Sequence, residues 1–457
     1  MKFMKKLWKD LLMYDKMIRK YKNNHFFGSG TMNYNFKNKS LGEGISFGTI
    51  TADGFKTACA SVSFSIPLSE KASLYALVPN VLTRSTANYP DVTSVERKLA
   101  LLYGADVAVD VSKSGEFQVL KIAISCIDDR FAIDGESITD ECCKLLFEFV
   151  FNPRLEKGVF AQDDVESEKR LLCERLSAEV SDKRVYSKNR CEEIMFGDEV
   201  YGINRFGTAE AINAITPESL YEAYKELLSQ AKIAVCVSGG EFPNAENMLR
   251  SYTADIARDV AEGETVFVES AEDVQYVKEQ EAVKQGKLVM GFRMGMKDAD
   301  DNYAARRIMC DLFGGSPHSK LFTVVREKMS LCYYCSSRMF RQKGVMFVQS
   351  GIESYNEEKA RDAILAQLED IKNGNFTQDN IDSSIKALED SLNSVSDTPE
   401  LLEAWFMNQI VTEDFLYPDY YIEKFKSVTK EDIIKAAKDV TLDTVFMLEG
   451  TEGGEQE

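Results

Sequence analysis

The sequence predicts an α+β protein of two tandem homologous domains, each an antiparallel sheet covered by helices on one face. Three observations lead there. At 457 residues the chain is too long for one compact core. A weak internal repeat runs through it: "AINAITPESLYEAYKELLSQAKIAVCVSGG" (211–240) matches "KFKSVTKEDIIKAAKDVTLDTVFMLEG" (424–450), and "ERKLALLYGADVAVDVSKSGEFQVLKIAIS" matches "REKMSLCYYCSSRMFRQKGVMFVQSGIE". Strand patterns come in pairs, joined by hairpin-length turns and separated by helical patterns, which favours antiparallel sheets with helices packed on them.

Residues 1–39 read as a basic N-terminal extension. Met4, Leu7, Leu11, Tyr14, Ile18 and Tyr21 recur at helical spacing among lysines and arginines, an amphipathic pattern. Charges interrupt every apolar run in it, so it is no secretory signal. It is expected to precede a start at Met32 and to be dispensable for folding; a surface- or partner-docking helix is the other reading. The first domain spans 40–255. In "ACASVSFSI", Ala60, Val62, Phe64 and Ile66 alternate onto one face, as do Val107, Val109 and Val111 in "DVAVDVS".

An acidic, apolar-poor stretch at 256–285 reads as a linker, and 286–457 as the second domain. There Ala360, Ile364, Leu368 and Ile371 make a helical stripe over 356–373, with Gly374 as the stop. In each domain a threonine, Thr216 or Thr429, stands where a helix needs an N-cap. The repeat pairs Tyr103 with Tyr333 and Gly115 with Gly344.

Composition removes several functions. The net charge of −19 opposes phosphate binding, so no nucleic-acid partner is expected. No apolar run is long enough for a membrane span. The ten cysteines sit mostly in apolar runs and read as free thiols in a reducing cytoplasm. Cys332 and Cys335 have CxxC spacing, but there is no second pair to complete a zinc site. A cysteine hydrolase using Cys142 or Cys173 would need a nearby base, and the two histidines, His25 and His318, lie far from both.

The stretch "LFGGSPHSKLFTVVREKMSLCYYCSS" (312–337) resembles the second-domain signature of the insulinase/pitrilysin zinc peptidases, a family that includes the mitochondrial processing peptidases. The resemblance extends over nearly the whole chain from residue 40. It implies two halves that close like a clamshell around an unfolded peptide, with Arg326 and Tyr333 as the substrate-binding pair. Their chemistry suits that role: a guanidinium is a fixed cation with five donors, and a phenol can donate to the same peptide oxygen.

The family's zinc motif, HxxEH, is impossible in a chain with two histidines so placed. At the matching place stands "ALVPNVL", with Ala76 and Asn80 at the ligand positions and Pro79 at the general base. "VESEKRLLCERLSAEV" (165–180) resembles the distal-ligand helix; it keeps Glu168 but has Arg175 where the third ligand belongs. No metal is therefore expected on this chain. The resemblance implies a non-catalytic subunit that binds peptide substrate beside a zinc-binding sister, with zinc only in the sister. A peptide-binding or scaffold protein without peptidase activity is the alternative, related bacterial proteins having been linked to elongation factor P modification.

Overall fold

The structure, a computed structural model, describes residues 33–451 apart from 134, 411, 413 and 414, so the basic N-terminal helix expected from the sequence lies outside the described residues. In the first half the chain runs β1 (Tyr34–Gly42), β2 (Ile45–Ala52), β3 (Thr57–Pro67), α1 (Ala72–Leu82), α2 (Val92–Leu101), β4 (Asp106–Ser114), β5 (Phe117–Ile127) and α3 (Ile138–Phe151). A short hairpin, β6 (Leu155–Glu156) and β7 (Val159–Phe160), leads into α4 (Gln162–Ser181), α5 (Lys183–Met195), α6 (Ala209–Asn213), α7 (Pro217–Gln230), β8 (Lys232–Ser238) and α8 (Ala245–Thr253).

The second half contains β9 (Gln275–Glu281), β10 (Gly286–Arg293), α9 (Tyr303–Cys310), π-helical segments at Asp311–Gly315 and Leu321–Lys328, β11 (Cys332–Phe340) and β12 (Val345–Ile352). It closes with α10 (Glu357–Lys372), α11 (Gln378–Asn393), α12 (Pro399–Met407), α13 (Pro418–Lys426), α14 (Lys430–Lys438) and β13 (Thr441–Gly450).

The two sheets share one plan. The first has strand order β1-β2-β8-β3-β5-β4 and the second β11-β12-β10-β13-β9. Exchanging β2, β8, β3, β5 and β4 for β9, β13, β10, β12 and β11 turns one order into the other. Pairing is antiparallel except for one parallel pair in each, β2 with β8 and β9 with β13. Equivalent hairpins turn at Gly115 and Gly344, whose φ values of 56° and 69° favour glycine. Thr216 and Thr429 each cap a helix, accepting the backbone N–H three residues on at 3.2 Å within a capping box. Helix α10 buries Ala360, Ile364, Leu368 and Ile371, and Gly374 follows it at φ 74°.

Two boundaries and one residue pairing differ from those read in the sequence. Residues 34–39, assigned to the extension, belong to β1, whose Phe36 ring stacks on Phe406 at 4.2 Å between centroids. Within the supposed linker, Gln275–Glu281 is β9, so the second half starts before residue 286. Tyr103 (φ 59°) and Gly104 (φ 75°) are left-handed before β4, as Ser330 (φ 53°) is before β11. Tyr103 lies three residues before β4, whereas Tyr333 is the second residue of β11, so the fold does not pair them.

Each half's own helices cover one face of its sheet, forming the two large cores. The opposite face is covered as well, by a helix lent from the other half. Helix α5 packs on β10 and β13, joining Cys191, Met195 and Phe196 to Val289, Phe347 and Phe446. Helix α12, at the same place in the repeat, packs on β3 and β8, where Leu402 and Phe406 meet Ile50, Phe55 and Cys236. Fully burying such side chains contributes roughly 1.5–3 kcal/mol each.

Buried charges accompany the exchange. Glu403 of α12, 1% exposed, accepts the Ser61 hydroxyl at 2.6 Å and pairs with Lys121. Across the other seam, Arg293 pairs with Glu199 and Asp443 at 2.7 Å, while Lys343 pairs with Glu199 at 2.7 Å and with Glu116. The connecting stretch is fastened there too, since the Val266 carbonyl accepts from Lys343 at 2.7 Å.

Candidate functional site

Helix α1 is buried along nearly its whole length, and Pro79 inside it removes one backbone donor. Its next turn supplies two side chains that settle α4 against it. Arg84 donates to Asp164 at 3.0 Å and to Glu168 at 2.8 Å, and the Ser85 hydroxyl donates to Asp164 at 2.6 Å. Glu168 is thus a structural ion-pair partner. One turn before Arg84, the Asn80 amide donates to the Ala76 carbonyl at 2.9 Å, and its oxygen accepts from the Arg175 guanidinium at 3.2 Å.

The structure therefore brings together Asn80 and Arg175 from separate helices, with Ala76 fully buried one turn behind. A fixed guanidinium here repels any cation and offers it no lone pair. Among the described residues, no group of three or more His, Cys, Asp or Glu side chains could hold a metal ion. Beside this helix pair lies a cleft of about 800 Å³ with Ser73, Leu176, Val180 and Ile203 in its wall. Nothing in the sequence pointed to it, because its wall comes from four separated segments.

In the second half the π-helical segment Leu321–Lys328 carries Arg326. Its wider turns end in an N–H bond from Met329 to the Val324 carbonyl at 2.9 Å, and Ser330 then redirects the chain into β11. Arg326 is half-buried, lies 4.3 Å from the Phe322 ring centroid, and makes no ion pair among the described residues. A bulge between Cys332 and Tyr334 pushes Tyr333 outward, 63% exposed. Its hydroxyl donates to Glu353 at 3.0 Å, which raises the phenol above its usual pKa.

Tyr334 packs against Gly351, where any Cβ would come within 2.5 Å of its ring. Arg326 and Tyr333 make no hydrogen bond to each other. Arg326 lies on the π-helical segment and Tyr333 at the start of the edge strand β11. Behind them the Cys332 thiol is held below its usual pKa by hydrogen bonds from Cys335 and Ser350 and by the Arg326 charge, against burial.

Two matching α+β halves, with Ala, Asn and Arg on the helix pair that would carry a metal, define an inactive peptidase homologue. The family described as Peptidase M16 inactive domain matches residues 214–388. The probable inactive metalloprotease YmfF of Bacillus subtilis is 32% identical over 424 residues, covering 92% of this chain and all of that protein. The subtilosin biosynthesis protein AlbE of Bacillus subtilis, named for an antilisterial bacteriocin, is 29% identical over 44% of this chain and 51% of its own length. The crystal structure of a conserved protein from Enterococcus faecalis superposes with a TM-score of 0.83 at 27% identity, over 92% of this chain and all of that one. The chain belongs to the M16 peptidase family, the insulinase/pitrilysin family that its sequence resembles, as an inactive homologue.

Proposed function

We propose that the protein is the non-catalytic, substrate-binding subunit of a heterodimeric zinc peptidase that processes peptides. Its first half presents Arg175 against Asn80 where the sister would hold zinc, and its second half lends Arg326 and Tyr333 to the sister's active site. The observation that carries this reading is the contrast between those places: Arg175 is spent on an internal hydrogen bond, whereas Arg326 has no carboxylate partner among the described residues and Tyr333 is exposed. A peptide substrate agrees with the bacteriocin pathway for which the AlbE relative is named. Ten free cysteines, nine of them buried, agree with a reducing cytoplasmic setting, and no helix among the described residues is long and apolar enough to cross a membrane.

The test is purification from native cells, identification of the co-eluting M16 protein, and reconstitution from the separate subunits. Peptide cleavage should need both subunits and the sister's zinc. Full cleavage by the sister alone would favour a scaffold without a role in peptidase activity.

A further inference from the structure

At the seam between the halves Lys113, Lys188, Arg205 and Arg338 stand beside Asp110, Glu192 and Glu193, so cations are in slight excess. A cleft of about 570 Å³ opens there between β4, α5 and β11, the outer strands belonging to different sheets. Glu192 in its floor is shared by Lys113 and Lys188, and Arg205 at its wall pairs with Glu179. Arg338 is different: it is exposed and makes no ion pair among the described residues. Its guanidinium lies 5.4 Å from the Phe340 ring centroid, and the Lys188 ammonium lies 5.3 Å from the same ring. One helical turn before Lys188, Arg184 is also exposed and makes no ion pair among the described residues, held over the Tyr334 ring at 4.5 Å.

These three cations form a track between α5 and β11, with aromatic rings beneath them, in a chain of net charge −19. Stacking fixes a guanidinium plane while leaving its donor edge free, the arrangement suited to receiving a carboxylate with two parallel bonds. A partly enclosed cleft strengthens such a pair over one in open water.

We infer that this track binds the carboxylates of an acidic, extended peptide segment. The inference rests on the peptide-holding reading, because the segment is part of the same chain that Arg326 and Tyr333 grip. Tyr333 and Arg338 lie five residues apart on β11, roughly 16 Å at about 3.3 Å per residue, so an extended peptide of similar length reaches both. A preference for glutamate or aspartate several residues from the gripped bond follows.

The test is fluorescence anisotropy on the full chain, using a labelled unstructured peptide of about 12 residues with three glutamates and its glutamine counterpart. The glutamate peptide should bind about tenfold tighter, and the difference should shrink with added salt. Arg184→Gln with Arg338→Gln should abolish the preference while leaving Tm and affinity for the glutamine peptide unchanged. Equal binding of the two peptides, or a preference that survives the double substitution, would overturn the inference alone. No binding of either peptide would overturn the peptide-holding reading, and the inference with it.

Discussion

Arg175 reaches from α4 to place its guanidinium 3.2 Å from the side-chain oxygen of Asn80 on α1. In family members with zinc, the resemblance puts metal ligands at both positions. Here a side-chain cation stands in the neighbourhood of the missing ion. The helix pair keeps its packing without metal because Arg84, Asp164 and Glu168 join it separately.

This arrangement predicts how metal binding returns. Chelator-washed protein should hold well below one zinc per chain by elemental analysis. Ala76→His, Asn80→His and Arg175→Glu together place two imidazoles one helical turn apart opposite a carboxylate, a three-ligand set that should bind about one zinc. No single change should do so. A folded triple variant that stays metal-free would show that these positions do not converge on one ion.

In the reconstituted complex, Arg326→Ala and Tyr333→Phe should each lower kcat while leaving assembly intact. Loss of one transition-state donor costs about 100- to 1000-fold, roughly 2.7–4 kcal/mol. A raised KM with unchanged kcat would instead assign the residue to binding alone. Because Glu353 competes for the Tyr333 proton, Glu353→Gln should be far milder than Tyr333→Phe. Wild-type rates in both site variants would make the pair structural.

Glu403→Ala should destabilise the protein by about 2–4 kcal/mol, since it strips Lys121 and Ser61 of a buried partner. Urea denaturation should still show one transition, because α12 ties its own half to the first sheet. Two separated transitions in the wild type would mean that the exchanged helices do not couple the halves.

Acid should weaken the cleft between β4 and α5. Burial alone would raise the Glu192 carboxyl, but Lys188 and Lys113 outweigh it and hold the group below the usual carboxylate range. A depressed folded-state pKa contributes stability that is present above the unfolded value of about 4.3 and is lost as pH falls toward the folded value. Wild-type Tm should therefore fall more steeply than that of Glu192→Gln below about pH 4.3. Parallel profiles would count against the two lysines as the cause.

The elements whose local signals agree with their surroundings were legible in the sequence. The α10 stripe with Gly374, the Thr216 and Thr429 caps and the turns at Gly115 and Gly344 each follow from a pattern a few residues long. Strand β9 was not legible, because "QYVKEQE" is an edge strand whose alternating charges resemble a solvated linker. Nor was the helix exchange. On β3 the face beneath α12 carries Cys59, Ser61, Ser63 and Ser65, which imitate a water-facing side, and Glu403 looks like an ordinary helix-surface charge. At the candidate site, motif positions marked Asn80 and Arg175 separately, but only the packing of α1 on α4 shows them touching. The Arg184 and Arg338 track joins residues from different halves, beyond the reach of any local pattern.

The lent helix α12 also sets an order of events during synthesis. The first sheet gains its last strand at Ser238, whereas α12 begins at Pro399, 161 residues later (399 − 238). At about 5–20 residues per second, a ribosome takes roughly 8–30 s to cover that distance. Throughout that interval Ile50, Phe55, Ala234 and Cys236 lack the helix that covers them in the finished protein. The nascent first half thus emerges with an adhesive apolar sheet face that stays uncovered until the chain's own later segment arrives.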